Sequence, residues 1–191
     1  AQAWRGEEAE NFVFAALTAA EDPGLLLLPI HRLVRPPAPP GWRERLRPYF
    51  RAQKVEEIEE LLALMAQQGG PCFGLLEAGG AVLLTLKDRA GLEALLPPGF
   101  PPVWRRLEVA LLQYAVLEGL LGIKGEALDY GEDARRAWER VKGGEFACAF
   151  LLRPPTAEEV FAVAEAGARM PPKSTFFYPK VPTGLVLNPL E

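Results

Sequence analysis

The sequence predicts an α+β fold in which helices pack on a mixed or largely antiparallel sheet. Short apolar runs flank turn signals, two segments repeat apolar residues at helical spacing, and neither type alternates regularly with the other as a doubly wound fold would require. With 191 residues, the chain is long enough for one hydrophobic core. Residues 1–191 are therefore read as a single domain.

The elements follow in chain order. Residues 1–10 are polar and helix-compatible, and the run Asn11-Phe12-Val13-Phe14-Ala15-Ala16-Leu17 is rich in strand formers. Glu21-Asp22-Pro23-Gly24 is turn chemistry, so residues 25–34 read as the second arm of a hairpin. The proline-dense stretch 35–41 is a stiff loop, because proline fixes φ and offers no backbone donor. Ile58, Leu61, Leu62 and Met65 lie at i, i+3, i+4 and i+7, an amphipathic helix stopped by Gly69-Gly70-Pro71. Residues 72–76 and 81–87 flank Ala78-Gly79-Gly80 as a second hairpin.

A buried helix is expected over 103–121, with Gln113 in need of a polar partner. Ala134, Ala137, Trp138 and Val141 repeat the helical spacing up to Gly143-Gly144, and residues 146–152 form a buried strand. Thr156-Ala157-Glu158-Glu159 is a capping box that opens a helix to about residue 169. The tail 174–190 is extended, with Pro179 and Pro182 keeping it to an edge or irregular strand.

Composition excludes several function classes. A net charge of −4 argues against a nucleic-acid surface. The basic cluster Arg43, Arg45, Arg47, Arg51 and Lys54 reads as the solvated face of a polar, helix-like segment. No apolar run approaches the roughly 20 residues of a membrane span, and no disulfide framework or secretory signal is visible, so a cytoplasmic location is expected. Ser174 is the sole serine, Asn11 and Asn188 are the only asparagines, and the 19 prolines crowd into loops, a usage that fits a thermophile.

Candidate chemistry is sparse. The single histidine, His31, shares a strand face with Leu33, whereas Arg32 lies with Ile30 and Val34. Cys72 and Cys148 sit in apolar runs where a thiol acts as a small hydrophobe, and with one histidine they cannot assemble a metal site. No nucleophile elbow surrounds Ser174. Gly167-Ala168-Arg169-Met170-Pro171-Pro172-Lys173-Ser174 lies close to a phosphate loop, but Pro171 and Pro172 lack the amide hydrogens that cradle phosphate, and the segment follows a helix rather than a strand. What survives is a loop where Lys173, Ser174 and Thr175 offer a cation and two hydroxyls to an anion, with His31 and Arg32 as further candidates for anion or substrate contact.

The stretch from Arg169 through Lys173-Ser174-Thr175-Phe176-Phe177-Tyr178-Pro179-Lys180, with Gly184-Leu185-Val186-Leu187-Asn188-Pro189-Leu190 behind it, resembles the closing signature of the family named domain of unknown function 1015. Leu28-Pro29-Ile30-His31-Arg32-Leu33 and Leu120-Leu121-Gly122-Ile123 resemble its other landmarks. The resemblance implies the C-terminal portion of a longer protein, whose preceding half, with an Asp-Gly-His-His-Arg motif, is a missing partner. It also implies a relation to the ParB/sulfiredoxin-like fold and an ATP-dependent kinase of free serine, with Lys173-Ser174-Thr175 as a phosphate or carboxylate contact and ATP used only by the full-length protein. Gln113 stands where the family's long helix carries histidine. The other reading of the residues is a non-catalytic binding or assembly domain. A portion lacking half its protein is expected to expose an apolar patch or to self-associate.

Overall fold

The computed structural model describes residues 15, 17–19 and 22–180. The chain divides into two compact units, Leu27–Phe176 and the two end segments Ala1–Leu26 and Phe177–Glu191. The larger unit is built on one six-stranded sheet. Its strands are β2 (His31–Val34), β3 (Phe50–Val55), β4 (Cys72–Glu77), β5 (Gly80–Leu86), β6 (Leu128–Gly131) and β7 (Cys148–Leu151), in spatial order β3-β5-β4-β7-β2-β6. Every neighbouring pair is antiparallel. Two short strands, β1 (Leu26–Leu28) and β8 (Phe176–Tyr178), pair in a separate sheet.

Alternation along the strands explains the two cores. Val34, Leu75, Leu84 and Phe150 face one side with Trp42, Trp104 and the helical rod that begins with α5 (Glu108–Ala110). Leu33, Leu76, Leu83 and Leu151 face the other, against α2 (Ile58–Gln67) and α6 (Ala134–Lys142). With both faces covered, β2 and β7 are buried at every position. This is why residues 146–152 read as an unbroken apolar run. The remaining helices are α1 (Trp42–Leu46), α3 (Arg89–Glu93), α4 (Pro102–Arg105) and α7 (Ala157–Glu165).

The 72–87 hairpin, the helices around residues 58–67 and 134–142, and the Thr156–Glu159 capping box form as the sequence predicts. Three expectations change. The strand expected over 25–34 breaks at Pro29 into β1 and β2, which join different sheets, because proline has no hydrogen to give the ladder. The basic cluster is exposed as expected but only partly helical: Arg51 and Lys54 lie on β3, at the sheet's edge, where charge blunts pairing with other chains. The helix expected over 103–121 breaks after Arg105, restarts at Glu108 and winds as a π-helix over Leu111–Leu120. Its last turn closes with the Leu121 amide donating to the Val116 carbonyl, at 2.9 Å. The first arm of the expected N-terminal hairpin and the tail beyond Lys180 fall outside the described residues, apart from Ala15 and Leu17.

Helix α2 can lie close on β4 because Gly74 has no side chain. A Cβ there would meet Met65 Sδ at 2.9 Å, and both Leu61 Cδ2 and Leu151 Cβ at 3.0 Å. Gly74→Ala is therefore expected to destabilise the fold by about 1–3 kcal/mol, read as a lower urea midpoint. An unchanged midpoint would mean that Met65 and Leu61 give way freely.

Candidate functional site

The antiparallel order brings the start of β2, the start of β4, and the ends of β6 and β7 to one end of the sheet. A cleft of roughly 1100 Å³ opens there. One wall is Leu28–His31 with the exit of β7 from Leu152 to Thr156, and another is the end of α2 with Gly69–Pro71. Arg106–Val109 and Glu132–Arg135 contribute the remaining walls, and Ser174 reaches in from the signature loop.

The wall is braced by Arg153. Its Nε donates to Glu108 Oε2 at 3.2 Å, Nη1 to the Gln68 carbonyl at 2.7 Å and Nη2 to the Gly70 carbonyl at 3.0 Å. Glu108 Oε1 also accepts the Cys72 amide at 3.1 Å, so β4, α5 and the loop after α2 are locked together. The carboxylate raises the Arg153 pKa, chiefly by hydrogen bonding. Cys72, beside it, has its thiol pushed up to about 11 by burial and then by Glu108, and burial pushes Cys148 to about 12. Both thiols stay protonated and unreactive at neutral pH.

Of the residues singled out in the sequence, His31 and Ser174 line the cleft and Arg32 lies behind it. His31 is 2% exposed, and its Nδ1 accepts the Leu152 amide at 3.3 Å. That bond puts the ring proton on Nε2. Arg32 is fully buried on the opposite face of β2, as strand alternation requires. Its Nε donates to Gln113 Oε1 at 3.2 Å, its Nη1 to the Ile30 carbonyl and its Nη2 to the Pro172 carbonyl at 3.3 Å. Gln113 passes the contact on, donating through Nε2 to Glu118 Oε1 at 3.0 Å. The partner that Gln113 needed is thus a buried cation.

The signature loop is fixed by the same cation. Ser174 is buried, with its hydroxyl donating to the Pro171 carbonyl, and Lys173 adopts a left-handed φ of 55°. Lys173 is exposed, with Nζ 5.9 Å from the centre of the Tyr130 ring, and the Arg32 guanidinium lies 5.4 Å from the same ring. Thr175 is half-buried beside Ser174. Sequence reasoning missed Arg106, Glu108, Glu132 and Arg153. None sits in a motif, and only the meeting of four chain segments puts them in one cleft. Among the described residues no cluster of histidine, cysteine and carboxylate could hold a metal ion, and no helix is long and apolar enough to cross a membrane.

Residues 1–110 match the family described as "Protein of unknown function (DUF1015)". The matched stretch contains the Leu28–Leu33 landmark and stops before the closing signature at Arg169. No curated protein matches in sequence. Among solved structures, a conserved hypothetical protein from Pyrococcus furiosus superposes with a TM-score of 0.51 at 19% identity, over 87% of this chain and 62% of that one. A free serine kinase in complex with AMP gives 0.48 at 17% identity, over 85% and 57%. A variant of free serine kinase in complex with ADP gives 0.48 at 17%, over 85% and 58%. The chain thus spans about three-fifths of the solved proteins it is similar to.

Burial holds the His31 pKa down to about 4, with the neighbouring Arg32 charge adding to the effect and Asp133 opposing it. The folded protein therefore keeps this ring neutral where the unfolded chain, titrating near 6.5, takes up a proton. Stability from this group is complete above pH 6.5 and is lost as pH falls toward 4. Between pH 7.5 and pH 5 the loss is about 2 kcal/mol. Urea unfolding at the two pH values should show it in the parent protein and not in His31→Gln; equal acid sensitivity in both would place the titration elsewhere.

Proposed function

The chain belongs to the DUF1015 family, and from that premise we propose that it forms part of a nucleotide-dependent kinase of a small molecule with a free hydroxyl, a free amino acid such as L-serine. The kinase reading comes from the family resemblance of the segments around His31 and Lys173. The observation that carries it into this chain is the seating of the Lys173–Thr175 loop: Arg32 holds the Pro172 carbonyl, and the next turn sends Ser174 into the wall of a cleft large enough for a small molecule.

In such a reaction the terminal phosphoryl group of ATP passes to the acceptor hydroxyl, and ADP leaves. Charge on the transferring oxygens is stabilised by fixed cations and N–H or O–H donors. Lys173 supplies a cation and Thr175 a hydroxyl for a phosphate or carboxylate, while Ser174 gives its hydroxyl hydrogen to the Pro171 carbonyl and so holds the loop in shape. His31 supplies a neutral N–H. Arg32 acts through the loop, since its guanidinium is committed to Gln113, Ile30 and Pro172. The partner half of a longer protein completes the apparatus.

The intact parent protein, given free amino acids with ATP or ADP, is expected to consume nucleotide and release a phosphorylated product. Binding without turnover would favour a non-catalytic binding domain. Lys173→Ala should abolish nucleotide binding in that protein and Lys180→Ala should spare most of it, because Lys173 adjoins Ser174, which lines the cleft, and Lys180 does not. Equal loss from both, or from neither, measured by calorimetry, would remove the loop from the site.

A further inference from the structure

The cleft is lined by four arginines and four carboxylates, and most of them are already spent. Arg153 holds Glu108, Arg135 holds Glu59 at 2.7 Å, and Arg89 holds Glu93 at 2.6 Å. Asp133 caps α6 by accepting the Arg135 and Arg136 amides, at 2.9 and 3.1 Å, and Glu159 closes the capping box of α7. Two charged side chains remain. Arg106 and Glu132 line the cleft, are exposed, and make no hydrogen bond or ion pair among the described residues.

A third group faces the same space. With Nδ1 occupied by the Leu152 amide, the Nε2–H of His31 is a donor with no partner among the described residues, on a side chain that is almost wholly buried yet lines the cleft. No buried side-chain nitrogen or oxygen of the described residues lacks a hydrogen bond, so Nε2 must reach the cleft's open space. A buried N–H open to a cleft that an unpaired guanidinium also lines is an arrangement for donating hydrogen bonds to anionic oxygen.

We infer that Arg106 and the Nε2–H of His31 form an oxyanion subsite in this cleft, one that takes the phosphate or carboxylate group of a small ligand. Arg106 supplies the charge and the forked donors, and His31 supplies a short, rigid donor that fixes the group's position. Glu132, the other unspent charge, and Asp133, whose charge reaches His31, both oppose an anion in this cleft. The subsite shares its cleft with the kinase reading but needs no turnover, so each stands or fails separately.

The sole histidine makes its own probe. In the ¹⁵N-labelled 191-residue chain, inorganic phosphate and, separately, acetate are titrated while the His31 ring nitrogens are followed by long-range ¹H–¹⁵N correlation. Saturable movement of Nε2 with at least one anion is expected, with Nδ1 nearly still. Arg106→Ala should weaken that binding by at least about tenfold, Arg106→Lys by less, and Glu132→Gln should leave it equal or tighter; amide spectra verify that each variant is folded. Tighter phosphate than acetate identifies a phosphorylated ligand, and the reverse a carboxylate. No movement with either anion, or an Arg106→Ala protein that binds as the parent does, overturns the subsite. Phosphotransfer activity failing in the intact protein while these shifts persist would sink the kinase reading and leave this one standing.

Discussion

The buried guanidinium of Arg32 is the constraint on which the other parts of the site depend. A cation without solvent must find acceptors, and burial lowers its pKa to about 10, still leaving it charged at neutral pH. Its acceptors come from three places along the chain: Ile30 just before its own strand, the π-helix and the signature loop. The Tyr130 ring adds a fourth surface. Removing any one acceptor leaves part of a buried charge unpaired, a far greater loss than a surface hydrogen bond. The loop is thus held through its backbone at Pro172, which leaves Lys173 and Thr175 free for other work.

The same requirement gives the π-helix a role. Gln113 must present its carbonyl oxygen to Arg32 and its amide to Glu118, five residues on. The wider pitch of Leu111–Leu120 coincides with the stretch where these contacts form. Leu111, Leu112, Ala115 and Val116 remain fully buried around it, so one polar side chain sits within an apolar rod.

The proposed site is organised by the opposition of neighbouring residues on β2. His31 points to the cleft side and is neutral because burial and Arg32 both resist its charging. Arg32 points to the other side and keeps its charge because carbonyls and Gln113 surround it. A one-residue step along a strand therefore separates a donor on the cleft side from a cation that organises the loop. Around them, ion pairs such as Arg153 with Glu108 consume most cleft charge in holding walls together, which leaves few groups for a ligand.

The elements with strong local signals were legible in the sequence. Apolar spacing set α2 and α6, the Thr156–Glu159 box set the start of α7, and Ala78-Gly79-Gly80 set the β4–β5 turn, because each is decided by interactions within a few residues. Alternation alone put His31 and Arg32 on opposite faces, and the polarity of Gln113 within an apolar helix declared that it needed a partner. The identity of that partner was not legible, since Arg32 is 81 residues away and only the sheet order brings them together. Strands β3 and β6 were missed because their polar residues lie at the two edges of the sheet, where water can face one side. The free Arg106 and the braced Glu108 looked alike in sequence: which charge is spent and which remains depends on distances between segments, and those exist only in the folded chain.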